Sequence, residues 1–258
     1  MDVILQEHLD GIAREHGITI LWASEAGNRA WGIPSSDSRY VVRFIYVHEP
    51  AHYLRVFDKR DVIELSGDGP FDFLGWDIKK ALGMLRKSHP VLREWLSSVM
   101  VYRQHEAGMQ PLRELFDDTL LPSVAGIHYL SLAKDYITKL AEDRDLRLMR
   151  YVSMFRDLLA CQWVIRHGTQ PPMDFRALLD EFLPGGDIRE QVDELLELKA
   201  QVREAEMIPP QPDLDEYLLR LYGQLQRRLP GQIAVMETER FDECFRSILK
   251  MVHPDWHI

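Results

Sequence analysis

The sequence predicts an α+β protein, with a small sheet and its helices in residues 1–105 and an all-helical domain over 106–258. Three observations predict it. Runs of β-branched and aromatic residues, ITILWASEA (18–26) and YVVRFIYV (40–47), are confined to the first hundred residues. Beyond Glu106 apolar residues recur at helical spacing and strand signals vanish. The charge divides at the same place: residues 1–105 carry 14 acids against 13 bases, and 106–258 carry 27 against 18, so the net charge of −10 belongs almost wholly to the second part. A chain of 258 residues with 46% hydrophobic residues builds one large or two medium cores. That composition excludes a disordered chain, a collagen-like repeat and a small disulfide scaffold.

The elements follow in order. Ile4, Leu5, Leu9, Ile12 and Ala13 share a helical face over 2–16, and Gly17 stands where a helix stops. A strand over 18–26 leads into a glycine-bounded loop, Gly27 to Gly32, and then through Pro34, Ser35, Ser36, Asp37 and Ser38 into the second strand. RDVIELS (60–66), GDGP and FDFLGW (71–76) read as a hairpin. Helices are expected over 78–88, with Asp77 as N-cap, and over 90–98, with Pro90 in the first turn. Helical periods then cover 111–121, 123–140, 145–167, 174–183, 187–206, 213–228 and 238–251, with proline pairs at 171–172 and 209–210 between them.

Composition also narrows function. An acidic chain lacks the basic footprint of broad duplex DNA binding, although a local basic pocket stays possible. The amino terminus has charges every few residues, and no stretch approaches 18 apolar residues, so no membrane segment and a cytoplasmic location are expected. Cys161 and Cys244, far apart and without ligand neighbours, read as buried free thiols. The histidines show no metal-ligand spacing.

The chemistry-bearing stretch is GNRAWGIPSSDSRYVVRF, Gly27 to Phe44. It resembles the nucleotidyltransferase family associated with RNA ligases, a branch of the polymerase-beta-like superfamily, whose segment reads approximately GSRAWGxxSxDSDYDVRF. The likeness continues through residues 60–82, 128–140 and 147–165, about two thirds of the chain. It implies a polymerase-beta-like core, a small mixed sheet with helices, followed by the helical domain. It also implies a Gly-Ser turn against nucleotide phosphates, two strand carboxylates holding Mg2+ ions, and a third carboxylate on a neighbouring strand.

This chain departs from that pattern at the residues that do the work. Asn28 replaces the serine, and Arg39 and Val41 replace the metal-binding aspartates. Arginine cannot ligate a divalent cation and valine offers no donor. Asp72 stands as the third carboxylate and the one doubtful metal ligand. Asp37 survives, but one same-face step, roughly 6.6 Å, from position 39. The resemblance further suggests Gly27, Asn28, Arg29, Arg39, Lys134, Arg150, Tyr151 and Arg156 as contacts to a nucleoside triphosphate or an RNA end, whereas solvated helix faces explain Lys134, Arg150 and Arg156 equally well. Arg39 is either a surface residue at a strand start or a direct phosphate contact. The expectation is a nucleotidyltransferase-family protein impaired in catalysis, with Mg2+ lost or weak, that retains a nucleotide- or RNA-binding cleft. Two alternatives stand: an active enzyme using Asp37 and Asp72, and a module that binds a protein partner through the acidic helices of 180–216.

Overall fold

In the computed structural model, residues 2–57, 59–67, 69–141, 147–229 and 236–256 are described. They form two compact units, neither continuous in sequence: Met1–Ala26 with Arg39–Thr119 and Val235–Ile258, and Gly27–Ser38 with Leu120–Ala234.

The first unit holds a five-stranded mixed sheet. Its strands are β1 (Ile18–Glu25), β2 (Tyr40–His48), β3 (Val62–Ser66), β4 (Phe71–Asp77) and β5 (Val101–Gln104), in the order β3-β4-β2-β1-β5. Only β2 and β4 are parallel. Side chains alternate between two faces, as the period of a strand requires. One face carries Val42, Phe44, Tyr46 and Phe73 against Leu5, Leu9 and Ile12 of α1 (Asp2–His16). The other carries Ile45, Val47 and Trp76 against α4 (Ile78–Arg86), α5 (Pro90–Ser97), α6 (Glu106–Asp118) and α12 (Glu239–Val252). On β4, Gly75 lies so close to the Phe44 ring that no Cβ fits there. Asp77 ends the same strand and caps α4, its carboxylate accepting from the Lys79 amide at 2.8 Å, as the sequence suggests.

The second unit is helical: α7 (Pro122–Ala141), α8 (Leu148–His167), α9 (Phe175–Phe182), α10 (Asp187–Gln201) and α11 (Pro212–Arg228). Residues around the whole circumference of α8 are buried, Arg156 and Asp157 among them, so α8 is the unit's central post. Ile33, from the short segment 27–38, belongs to this core.

The expected boundary at 105/106 is therefore not where the units divide. The apolar faces of α6 and α12, with Leu112, Leu115, Phe241 and Ile248, complete the core beneath the sheet, and Ile33 draws the motif loop into the helical unit. Sequence reading also missed β5 and the one-turn helices α2 (Gly27–Ala30) and α3 (Pro50–Tyr53). Four residues are too few for either periodicity to register. Cys161 and Cys244 are buried and free. No helix among the described residues is long and apolar enough to cross a membrane.

Candidate functional site

The parallel pairing of β2 and β4 sets Val41 opposite Asp72, with Tyr40 opposite Phe71 and Arg43 opposite Leu74. Paired residues of parallel strands share a face, so positions 41, 43 and 72 project together, and 39 lies one same-face step before them. This is the arrangement in which carboxylates at 39, 41 and 72 would converge. Val41 instead packs at the edge of the core beneath the sheet, and its amide donates to Glu25 Oε1 at 2.7 Å. Glu25 is buried, and its other carboxylate oxygen accepts from the Tyr102 hydroxyl.

Asp72 is committed on both oxygens. Oδ1 accepts from Ser66 Oγ at 2.5 Å, and Oδ2 pairs with Arg43 Nη2 at 2.8 Å, while Arg43 Nη1 donates to the Asp72 carbonyl at 3.1 Å. Burial acts to raise this carboxyl. The Ser66 hydrogen bond, the Arg43 pair and the nearby Arg39 charge outweigh it and hold the group below the ordinary carboxylate value. Arg39 Nη2 donates to the carbonyls of Gly67 at 2.8 Å and Phe71 at 2.5 Å, clamping the turn between β3 and β4. Its Nε has no partner among the described residues.

The segment 27–38 is fastened within the helical unit. Gly27 opens it at φ +64°, a left-handed conformation that favours glycine. Lys199, 1% exposed at the end of α10, donates to the Ile33 carbonyl and to Ser35 Oγ at 2.9 Å. Ser36 N donates to the Val202 carbonyl at 3.1 Å, and Glu204 Oε1 accepts from Asn28 Nδ2 at 2.6 Å and Ser38 Oγ at 2.7 Å. Asp37 Oδ1 accepts from the Glu204 amide at 2.9 Å. Asp37 Oδ1 thus takes part in a backbone clasp, a contact that sequence spacing cannot reveal.

Of the other candidates, Arg29 is half-buried, Lys134 is exposed on α7, and Arg150 is half-buried on α8. Tyr151 is fully buried, its hydroxyl donating to Asp215 Oδ1 at 2.6 Å. Arg156 is buried too, with its guanidinium 4.0 Å from the Trp31 ring centre and 3.2 Å from Asp157 Oδ1. Both side chains lie in the core of the helical unit. A helix buried on all sides places its polar residues inside, which a one-sided helical pattern does not foretell.

The chemistry of the Arg39–Asp72 end follows from its donor set. Arg39 and Arg43 flank Asp72, whose charge Arg43 balances, while the buried Glu25 carboxylate is taken up by the Val41 amide and the Tyr102 hydroxyl, so Arg39 is the charge this edge presents without an ion pair among the described residues. Divalent ions demand several oxygen ligands in near-ideal geometry. One engaged carboxylate does not fit that demand, and among the described residues no group of three or more His, Cys, Asp or Glu could hold a metal ion. The arrangement suits an anion. Arg43, Ser66 and Glu25 escaped the sequence reading; Arg43 lies inside the quoted motif, but only the strand register reveals its pairing with Asp72.

Comparison with known proteins gives a concordant result. The family model described as "RNA repair pathway DNA polymerase beta family" matches residues 1–247. The chain is also 36% identical over 201 residues to "Uncharacterized protein YcgL" of Bacillus subtilis (strain 168), covering 78% of this chain and 77% of that protein.

Proposed function

The chain belongs to the RNA repair pathway DNA polymerase beta family, and from that premise we propose that it is a nucleotidyltransferase-family protein impaired in metal-dependent transfer. In this reading the Arg39–Asp72 end of the sheet binds the phosphates of a nucleotide or an RNA end directly. One observation carries it: where the family pattern has converging carboxylates, this chain has Arg39, Val41 and an Asp72 neutralised by Arg43. In the family, the metal pair bridges phosphate oxygens and stabilises the leaving pyrophosphate. The residues here do not fit that pair.

What they offer is binding. Arg39 Nη2 clamps the turn and Nε is enclosed, so Nη1 is the donor left toward a phosphate, on a guanidinium whose charge is fixed. Asp72 holds Arg43 in place rather than activating an acceptor hydroxyl. The alternative of an active enzyme using Asp37 and Asp72 is disfavoured because Asp72 is held on both oxygens by Ser66 and Arg43.

The test incubates the protein with labelled nucleoside triphosphates, an RNA oligonucleotide and Mg2+. The expected result is no incorporation above a chelator control. Incorporation that disappears in Asp72→Ala would overturn the reading.

A further inference from the structure

At the other end of β2, roughly 26 Å from Tyr40 at the rise of an extended strand, lies a cation-rich depression that the motif does not touch. Two adjoining cavities of about 320 and 570 Å³ share His52, Arg55, Lys59 and Arg60 in their walls. The larger lies within the range of about 300–1,000 Å³ common for small-ligand sites.

Among the described residues its acids are engaged. Asp61 pairs with Lys80 at 3.2 Å, Glu64 with Arg60 at 3.5 Å, and Glu49 stands 3.5 Å from His253. Asp77 caps α4 and accepts from the Tyr53 hydroxyl at 2.8 Å. Among the described residues Arg55 and Lys59 form no ion pair, and Lys79 is exposed beside the buried Asp77, whose charge it partly balances, in a chain whose net charge is −10. Buried and partly buried groups register the resulting field. His52 is held below its ordinary pKa first by burial and then by Arg55, Lys59 and Lys79 together. Flat rings accompany the charges: His48 and His52 stack at 3.7 Å and 6°, and Phe57, between Arg55 and Lys59 in sequence, is 83% exposed. Cations beside an exposed aromatic ring are the recognition chemistry of nucleotides, phosphate on the charge and base on the ring.

We propose that this depression is a second anion site, separate from the Arg39–Asp72 end, that takes a nucleotide, free or within single-stranded RNA, with phosphates on Arg55, Lys59 and Lys79 and a base on Phe57. The site does not depend on the reading given above for the motif.

The test is therefore run in an Arg39→Ala background, which removes the other site. Binding is measured for a fluorescent ten-nucleotide single-stranded RNA, for ATP and for inorganic tripolyphosphate. Arg55→Ala/Lys59→Ala/Lys79→Ala is expected to weaken RNA or ATP binding at least tenfold with an unchanged melting temperature, since all three side chains are exposed. Phe57→Ala is expected to weaken the nucleotide ligands several-fold and leave tripolyphosphate unaffected. The tighter of ATP and RNA identifies the source. No binding in the Arg39→Ala background, or binding that the triple substitution leaves intact, overturns the proposal without touching the motif reading. A Phe57→Ala variant that binds every probe as before overturns the nucleotide assignment.

Discussion

Position 39 decides the electrostatics of the motif end. As arginine it clamps two carbonyls of the β3–β4 turn and adds a second positive charge beside Asp72. Aspartates at 39 and 41 would remove both hydrogen bonds and set three carboxylates facing one another, an arrangement that is costly without a metal. Each lost charge-assisted bond is worth roughly 1.5 kcal/mol, and 1 kcal/mol shifts the melting temperature by about 2–4 °C in a protein of this size. Arg39→Asp/Val41→Asp, melted in chelator, is therefore expected to lose roughly 6–12 °C; a more stable variant would contradict this account.

His48 carries a second residue-scale consequence. Burial first, then the stacked His52 and the charges of Arg55 and His16, push it from 6.5 down to about 4 against the opposing Gly17 carbonyl. The unfolded chain binds a proton in that window and the folded chain does not, so stability rises with pH there. The contribution of neutral His48 is complete above pH 6.5 and is lost as pH falls toward 4. Urea midpoints measured between pH 7.5 and 4 should fall less steeply in His48→Gln than in the parent. Parallel slopes would show that His48 is not the group responsible.

Among the elements, the segment 27–38 depends on a partner far away in sequence. Burial lowers the Lys199 ammonium to about 8, against the opposing charges of Glu204 and Asp37, yet it is the donor that ties Ile33 and Ser35 to α10. Lys199→Met keeps the aliphatic bulk and removes both hydrogen bonds, leaving the Ile33 carbonyl without that donor. Hydrogen exchange should then show protection of the Ser36 and Glu204 amides falling at least tenfold, with the β1 and β2 amides unchanged. Retained protection would mean that the loop is held by Glu204 and Val202 alone.

The same segment marks how far sequence reading reaches. β1, β2, the β3–β4 hairpin and the longer helices were legible, because β-branched runs, turn residues and helical spacing are local signals. α10 ends at Gln201 rather than at the expected 206 because the chain turns at Val202 to meet Ser36. The motif's missing carboxylates were legible too, whereas the pairing of Arg43 with Asp72 needed the register of two parallel strands. The engagement of Asp37 by Glu204 joins residues 167 positions apart, and no local pattern encodes it.

For the whole molecule, chain order and compact units are different divisions. The carboxy-terminal α12 supplies Phe241, Ile248 and Leu249 to the core beneath the sheet, so the first unit is complete only when the last helix has been made. The family match over residues 1–247 draws on both units. The net charge of −10 likewise hides local reversals, since the first unit gathers Arg55, Lys59, Arg60, Lys79 and Lys80 near one end of β2 and sets Arg39 and Arg43 around Asp72 at the other. The central claim is that the motif end binds phosphate through arginine and not through a metal. Isothermal titration of ATP with Mg2+ and in chelator tests it most directly: equal affinity in both, weakened at least fivefold by Arg39→Ala, is the predicted result. Tight binding that requires Mg2+ and survives Arg39→Ala would contradict it.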